Sequence, residues 1–598
     1  MKNLDPKPPI TNAHSHVFTH NYVPPYLAKT IIPWPFYYLI HLPTFVRIYI
    51  FINLLKEKQF KPFYRKIRRI KYQALRFIYR VTLLKAVLFI VVFYIGLVAF
   101  LTLFNLLVTN LPVVDLDWSQ RVVIARDWLY EYRLLIVRPN WLPHWLGVIL
   151  AFIFVLVVPS VRKISLYLLN LIWRFFHLLP SSEIKQLLGR YLMMARFAIY
   201  KKQGGIANKL KHQYPIGTHF YLLSMDMAFM EAGQIKPKYN FRNQLLELEK
   251  LNDKDEFHAF IFIDPRRITM EGKTFFDYEI RDDKIVLKDC LIKEFIENKG
   301  FAGFKIYPAL GYFPFDERLL VLWKYATENN LPIISHGIKG SIYYRGKLQK
   351  DWMYHPVFNE SFGSNEMKPL LFPETKNVDF QINFTHPLNY LCLLEEPLLR
   401  ILISKTKNQD LKKIFGFENQ ETELKTNLSQ LKISFAHFGG AEEWAKYLER
   451  DRDIYAQQLM TKGVAAINLK VEDQNEIPWR RYEHLWKYTD WYSICCSMMI
   501  HYDNFYADIS YLVSKPSFFP LLKQTISKAS SYENNSSNKP TYVTKEILRT
   551  KVLFGSDFYV VRSQKADKDI FLQLKSYLSE EEFDLITRHN PQKFRGSK

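Results

Sequence analysis

The sequence predicts an α/β protein folded as a (β/α)8 TIM barrel, and three observations support this fold class. The 598-residue chain has a globular composition, with 48% hydrophobic residues, and is long enough for such a barrel and an additional region. After residue 215, short apolar runs alternate with stretches of helical periodicity, which predicts parallel strands joined by helices. Another strand-like run lies near the start of the chain, and eight such units are typical of a closed barrel.

The first predicted strand contains the sequence NAHSH, and the others follow the long interruption described below. Helices are predicted between them, for example at 316–329 and 442–450, where Glu and Lys accompany an apolar period. The later strands are predicted at 218–225, 258–264, 301–308, 332–336, 433–437, 504–510 and 552–557.

A long segment separates the first two strands, so we predict three regions: 1–20 with the first strand, a helical insertion at 21–215, and the remainder of the barrel at 216–598. Within the insertion, 86–109 and 141–160 contain no Asp, Glu, Lys or Arg. A membrane-spanning helix needs about 20 apolar residues. These two stretches therefore predict a transmembrane hairpin, with two buried core helices as the alternative.

Residues 56–85 carry eleven lysines and arginines and a single acidic residue, Glu57. A basic run that directly precedes an apolar span is typical of the cytoplasmic flank of a membrane helix, and this position disfavours nucleic-acid binding. The four cysteines show no zinc-binding spacing. We therefore expect a multi-pass protein of a bacterial inner membrane, with the barrel facing the cytoplasm and the hairpin and basic segment contacting the membrane. The sequence predicts no oligomeric state.

His14 and His16 lie two residues apart on the first predicted strand. Alternate side chains of a strand point to the same face, so both imidazoles face one way. Such a pair can begin a metal site, although it also occurs on ordinary surface strands. Its significance depends on the other strand ends.

Four later strands end in residues that bind metals or transfer protons: Lys305, His336, His437 and Asp557. The active site of a TIM barrel lies at the carboxyl ends of its strands, so these side chains are expected to converge at one mouth. Taken singly, each also has a structural explanation: a surface lysine, a core histidine, a brace for the turn that follows, or a helix N-cap.

The sequence stretches around these strand ends resemble those of a known enzyme family. They come in an order typical of the amidohydrolase superfamily, and the chain resembles the branch related to aminocarboxymuconate semialdehyde decarboxylase, over about residues 9–18 and 216–595. The predicted transmembrane hairpin departs from the family pattern. The matching stretches are NAHSH, FIDPRR, GFKIYPALGYFP, LPIISHG, NFTHPLNY, ISFAHFGG, NFYADIS, KVLFGSDF and RHNPQKFR.

The resemblance implies one or two divalent metal ions, with zinc as the first expectation. His14, His16 and Asp557 would bind the more buried ion. His336 would complete a one-metal site, or His336 and His437 would hold a second ion bridged by a carboxylated Lys305. If Lys305 is unmodified, His437 is expected to orient or protonate the substrate.

The implied activity is hydrolysis, in which a metal-activated water attacks the carbon of an amide, ester or lactone. Asp557 and His437 would be the catalytic residues that move protons. A decarboxylase on the same metal site and a non-catalytic membrane-bound scaffold on the barrel are the alternatives.

Residues expected to bind the substrate follow the same strands. Arginine suits bidentate recognition of a carboxylate, although such side chains also pair with acidic residues or helix ends. Because the insertion leaves from the first strand, at the catalytic end, we expect a small-molecule substrate and hypothesise that it is amphiphilic. An insertion that only anchors the protein is the alternative. The expected substrate-binding residues are Arg266, Arg267, Tyr307, Arg345 and His386.

Overall fold

The computed structural model describes residues 7–27, 62–87, 200–252, 256–361, 367–449, 467–469, 481–529 and 539–596, and scattered residues between 89 and 197. The chain divides into two compact units. One comprises Met1–Val46 and Gly189–Lys598, and the other comprises Arg47–Leu188.

The first unit contains an eight-stranded sheet in which every pair of neighbouring strands is parallel and the strand order follows the chain. The sheet closes on itself, because Ser15 forms a parallel bridge to Phe558 and the amide of Ala13 donates to the carbonyl of Phe554 at 2.8 Å. The strands are β1 Thr11–Ser15, β2 His219–Leu223, β3 Phe257–Phe262, β4 Gly303–Ile306, β5 Ile333–His336, β6 Ile433–Ala436, β7 Phe505–Asp508 and β8 Val552–Leu553.

The strands are buried along almost their whole length, because parallel strands in such a barrel are covered on both faces. Inside the barrel, a small cluster of buried side chains forms its own core, and Phe594 from the C-terminal helix is part of it. A much larger cluster joins the outer faces of the strands to the helices. The inner cluster consists of Ala13, Tyr221, Leu223, Phe260, Ile334, Ala436, Tyr506, Leu553 and Phe594.

Helices separate the strands of the barrel, and two antiparallel hairpins, Tyr278–Arg281 with Lys284–Leu287 and Tyr354–Ser361 with Met367–Leu371, lie outside it. The α-helices of this unit include Gln203–Lys211, Phe241–Glu249, Pro265–Glu271, Leu291–Lys293, Glu317–Glu328, Asn377–Thr385, Leu391–Leu394, Glu396–Lys405, Gln409–Phe415, Ala441–Glu449, Arg481–Tyr488, Trp491–His501, Phe519–Ile526, Lys539–Arg549, Asp567–Tyr577, Glu580–Asp584 and Asn590–Arg595.

The predicted barrel is confirmed in its strands. Each predicted run contains or overlaps one strand of the sheet, and the helices predicted at 316–329 and 442–450 are Glu317–Glu328 and Ala441–Glu449.

The second unit contains the helix Pro62–Arg80, which belongs to the basic segment 56–85. Among the residues that the structure describes, no helix has both the length and the apolar composition needed to cross a bilayer. Pro62–Arg80 is long enough, but lysines and arginines run through it, and charged side chains in a bilayer are costly. This finding contradicts the expected multi-pass location in a bacterial inner membrane. Of the predicted spans, 86–109 lies partly and 141–160 wholly outside the described residues.

Candidate metal centre

Buried polar side chains converge at the carboxyl ends of the barrel strands. They come from strands far apart in the chain, and only the closed sheet brings them together. None is more than 6% exposed. The set comprises His14 and His16 on β1, Lys305 on β4, His336 on β5, His437 after β6, Asp508 on β7 and Asp557 after β8.

The first group consists of His14, His16 and Asp557. The Nε2 atoms of the two histidines are 3.3 Å apart, and Asp557 Oδ1 lies 3.6 Å from His16 Nε2 and 3.9 Å from His14 Nε2. The Asp557 amide donates to the carbonyl of His14 at 2.9 Å, which ties the β8 loop to β1. These atoms are close enough together to ligate one ion.

The imidazoles of this group present their Nε2 lone pairs to one another. His16 Nδ1 lies 3.1 Å from the carbonyl of Leu223, and His14 Nδ1 lies 3.0 Å from a carboxylate oxygen of Asp508. Both partners accept hydrogen bonds, so Nδ1 carries the proton in each ring and Nε2 is bare. Two lone pairs cannot hydrogen-bond to each other, whereas a cation between them satisfies both. The donor set, two imidazole nitrogens and one carboxylate oxygen, therefore fits a divalent metal such as zinc.

Burial keeps these histidines neutral, the form in which an imidazole binds a metal. Burial and then the charge of Lys305 lower the pKa of His16 to about 3. The same two causes, in the same order, lower the pKa of His14 well below its usual value. Neither ring needs to release a proton to act as a ligand at neutral pH.

The second group consists of His336 and His437. His437 Nε2 lies 3.1 Å from His336 Nδ1, and the His14 and His437 ring centroids are 4.8 Å apart, so the groups adjoin. His437 Nδ1 lies 3.2 Å from the carbonyl of Ser510, which places its proton on Nδ1. His336 Nε2 is buried without a hydrogen-bond partner in the described part of the chain.

Lys305 lies on β4, close to both groups. Its side chain is fully buried, and its Nζ has no hydrogen-bond partner among the described residues. Burial lowers its pKa to about 8, while Asp508 and Asp557 act in the opposite direction. A buried amine without a partner is costly for the fold, which is typical of a group retained for chemistry.

Asp508 was not among the predicted site residues. Its Oδ2 lies 3.0 Å from His14 Nδ1, and its Oδ1 accepts the amides of His437 at 3.1 Å and Ser510 at 3.0 Å. The Ser510 hydroxyl also donates to Oδ1. Asp508 is the last residue of β7 and lies two residues before the end of the predicted strand 504–510, so the rule used for the other strand ends could have identified it.

A cavity of about 780 Å³ adjoins the cluster at His437. Its wall contains the indoles of Trp486 and Trp491 and the imidazole of His386, which stacks on Trp486 with 3.8 Å between ring centroids. His386 Nε2 is buried and has no hydrogen-bond partner among the described residues. The cavity gives a small molecule access to the cluster and offers both apolar and polar contacts. Lysines that line it are Lys339, Lys446, Lys487 and Lys515.

The structure places the five expected substrate-binding residues in different surroundings. Tyr307 stacks on His336 beside the cluster, and His386 lines the cavity. The three arginines make structural contacts instead, which are described next.

The guanidinium of Arg266 donates to both carboxylate oxygens of Asp264 and to the carbonyls of Phe229 and Leu310. Arg267 pairs with Asp226 and Glu271. These pairings match the structural alternative considered for arginines in the sequence.

Arg345 lies over the ring of Tyr343, with its guanidinium carbon 4.2 Å from the ring centroid. It donates to the Tyr343 hydroxyl at 3.2 Å and to the carbonyl of Ser341 at 3.1 Å. Its described contacts therefore hold the loop that follows β5.

No family model matches the chain, and neither does any curated protein. Among solved structures, it is similar to 5-carboxyvanillate decarboxylase LigW from Sphingomonas paucimobilis, with 10% identity over 66% of this chain and 83% of that one and a TM-score of 0.32. It is also similar to an amidohydrolase from Mycobacterium avium subsp. paratuberculosis, with 12% identity over 66% of this chain and 75% of that one and a TM-score of 0.29. A third similar structure is 4-oxalomesaconate hydratase LigJ from Rhodopseudomonas palustris, with 12% identity over 65% of this chain and 79% of that one and a TM-score of 0.30.

These neighbours are a decarboxylase, an amidohydrolase and a hydratase. At such identities and TM-scores the likeness carries no argument about the reaction. The chemistry has to be argued from the geometry of the site.

Proposed function

We propose that this chain is a metal-dependent hydrolase that acts on a small molecule at the carboxyl end of its barrel. The observation that carries the proposal is the convergence of His14, His16 and Asp557, whose ligand atoms all lie within 4.8 Å of one another. Enzymes of this architecture have their active sites at this end of the barrel.

When bound, a divalent ion at these residues would supply Lewis acidity and lower the pKa of water toward about 7, so that hydroxide is available near neutral pH. Zinc is our first choice for a nitrogen and oxygen donor set, although other first-row metals accept the same ligands. Lys305, once carboxylated, would offer anionic oxygens toward a second ion at His336 and His437.

Asp557 is the proposed proton carrier. Burial raises its pKa well above the usual value, while the charge of Lys305 acts in the opposite direction. A carboxylate in this position can accept the proton of an attacking water and return it to a leaving group. A leaving amine or alcohol can depart through the adjoining cavity.

His437 is proposed to act as a ligand or a base. Because its Nδ1 proton points to the carbonyl of Ser510, its bare Nε2 faces the cluster and accepts rather than donates. It could donate a hydrogen bond to a developing oxyanion only after taking up a proton. The substrate carbon is proposed to lie between His437 and Asp557, with its apolar part against Trp486 and Trp491.

The first test is the metal content per chain, measured by inductively coupled plasma mass spectrometry on wild type and on His14→Ala/His16→Ala. We expect one or two ions in wild type and loss of at least one in the variant. The matched control is His219→Ala/His258→Ala, a histidine pair 3.1 Å apart at the amino ends of β2 and β3, which should retain the metal. A metal-free wild type after reconstitution would refute the proposal.

The second test separates the reactions. Metal-loaded protein is incubated with panels of amides, esters, lactones and carboxylic acids, while amine or acid release and carbon dioxide release are followed in parallel. Hydrolysis products that disappear with Asp557→Asn support the proposal. Carbon dioxide release without hydrolysis would replace the hydrolase with a decarboxylase on the same residues.

A further inference from the structure

Asp508 joins the two histidine groups through opposite sides of one carboxylate. Oδ2 faces His14 Nδ1 at 3.0 Å, while Oδ1 faces the amides of His437 and Ser510. The side chain is fully buried on β7. Every described hydrogen bond to it comes from the β1 ligand strand or from the loops that follow β6 and β7.

We propose that Asp508 is a positioning residue that sets the metal affinity of the site by fixing the tautomer of His14, an inference that rests on the proposed function. The carboxylate only accepts, so His14 must donate from Nδ1 and leave Nε2 bare toward His16 and Asp557. Asp508 thereby prepares His14 to bind an ion without being a ligand itself.

The contacts on Oδ1 make Asp508→Asn an unusually sharp test. Two main-chain amides, of His437 and Ser510, donate to Oδ1, and a main-chain amide cannot change its role. The oxygen of the asparagine must therefore remain on that side, and its NH2 group must face His14 Nδ1. His14 then has to accept at Nδ1 and carry its proton on Nε2, where the proton blocks metal binding.

The measurement is the dissociation constant of Co²⁺ and Zn²⁺, obtained by chelator competition and followed by the visible absorption of bound Co²⁺. We expect Asp508→Asn to weaken binding about 10–100-fold, the range typical of lost second-layer carboxylates. The near-isosteric change should leave thermal unfolding of the metal-free protein close to that of wild type. Equal Co²⁺ affinity in Asp508→Asn and wild type would overturn the inference.

Two control variants separate the tautomer from other causes. Asp490→Asn removes another buried carboxylate, one that caps the helix Trp491–His501, where asparagine also caps, and should leave metal affinity unchanged. Ser510→Ala removes a hydroxyl that donates to Asp508 Oδ1 and lies 2.9 Å from His437 Nδ1, while the Ser510 carbonyl, at 3.2 Å, still accepts from His437 Nδ1. If Ser510→Ala weakens binding as much as Asp508→Asn does, Asp508 acts through the loop and the inference falls.

The tautomer can also be observed directly in wild type, which keeps the inference testable if the variant fails to fold. In protein with ¹⁵N-labelled histidine, assigned with His14→Gln, the metal-free His14 ring should carry its proton on Nδ1. A proton on Nε2 would overturn the inference whatever the metal does. Failure of wild type to bind metal would refute the proposed function and the effect on metal affinity, while a proton on Nδ1 of His14 would still support the tautomer that Asp508 imposes.

Discussion

The phenol ring of Tyr307 lies flat on the imidazole of His336, with 3.7 Å between ring centroids and 10° between ring planes. Both side chains are buried, and His336 Nδ1 lies 3.1 Å from His437 Nε2. Aromatic pairs of this kind contribute about 0.5–1.5 kcal/mol beyond the area they bury. The stack therefore keeps His336 in one orientation beside its partner.

Replacing Tyr307 with alanine should loosen His336 and weaken binding of the ion assigned to His336 and His437, whereas Tyr307→Phe retains the ring. From the energy of the stack we expect Tyr307→Ala to weaken this binding about 2–10-fold. Stepwise Co²⁺ titration of both variants measures the effect. Equal losses in Tyr307→Phe and Tyr307→Ala would show that the hydroxyl, not the stack, is responsible.

Lys305→Met should stabilise the metal-free protein while weakening the second ion site. Lys305 Nζ is buried without a described partner, and an unsatisfied buried donor costs about 1–3 kcal/mol, a cost that an apolar side chain of similar volume avoids. Thermal unfolding of the metal-free proteins checks this. The matched control is Lys324→Met, since Lys324 is also buried but paired with Glu328 at 2.7 Å, and this variant should not gain stability. A lower unfolding temperature for Lys305→Met would contradict the prediction.

Gly555→Ala should disturb the site without replacing a candidate ligand. A β-carbon at Gly555 would lie 2.8 Å from the β-carbon of His14 and 3.0 Å from that of Ser510, closer than carbon atoms pack. We expect a loss of about 1–3 kcal/mol in unfolding free energy and weaker metal binding, because His14 must move. Gly204→Ala is the control, since its new methyl would only touch Leu251 at 3.7 Å within a helix. Unchanged metal affinity in Gly555→Ala would show that the site tolerates the shift.

Asp567 should make the stability of the protein fall as pH rises from 4 to 6. Burial raises its pKa to about 6, so the folded state holds a proton that the unfolded state has already lost in this window. Stability falls with rising pH wherever the folded state binds more protons, and two pKa units correspond to about 3 kcal/mol. Asp567→Asn has no carboxyl group to titrate. Urea unfolding at pH 4 and pH 7 should therefore show that wild type loses about 3 kcal/mol more unfolding free energy over this interval than the variant does. Parallel pH curves would contradict the prediction.

The sequence allowed the barrel and most of the cluster to be predicted because both follow local rules. Short apolar runs mark strands, and the residue that ends each run marks the mouth, which located His336, His437 and Asp557. Asp508 obeys the same rule but was passed over, because the resemblance did not assign a role to its strand.

Contacts between distant segments could not be predicted in this way. The stack of His386 on Trp486, which forms a wall of the cavity, joins residues that no local pattern connects. The three arginines illustrate a second limit of local patterns. Their residue type suits carboxylate binding, but nearby acids such as Asp264 already occupy Arg266, and a sequence does not show which of two suitable partners is closer.

The pairing of Thr11 with His219 has a consequence for how the protein folds. Closing a connection of about 200 residues costs about 2 kcal/mol more entropy than closing one of about 20, so β1 should be the last strand to dock. Until it does, β2 and β8 present open edges that can pair with other chains. Since β1 carries His14 and His16, the site is completed only in the step that seals the barrel. Metal added during refolding should therefore stabilise the closed barrel and suppress aggregation.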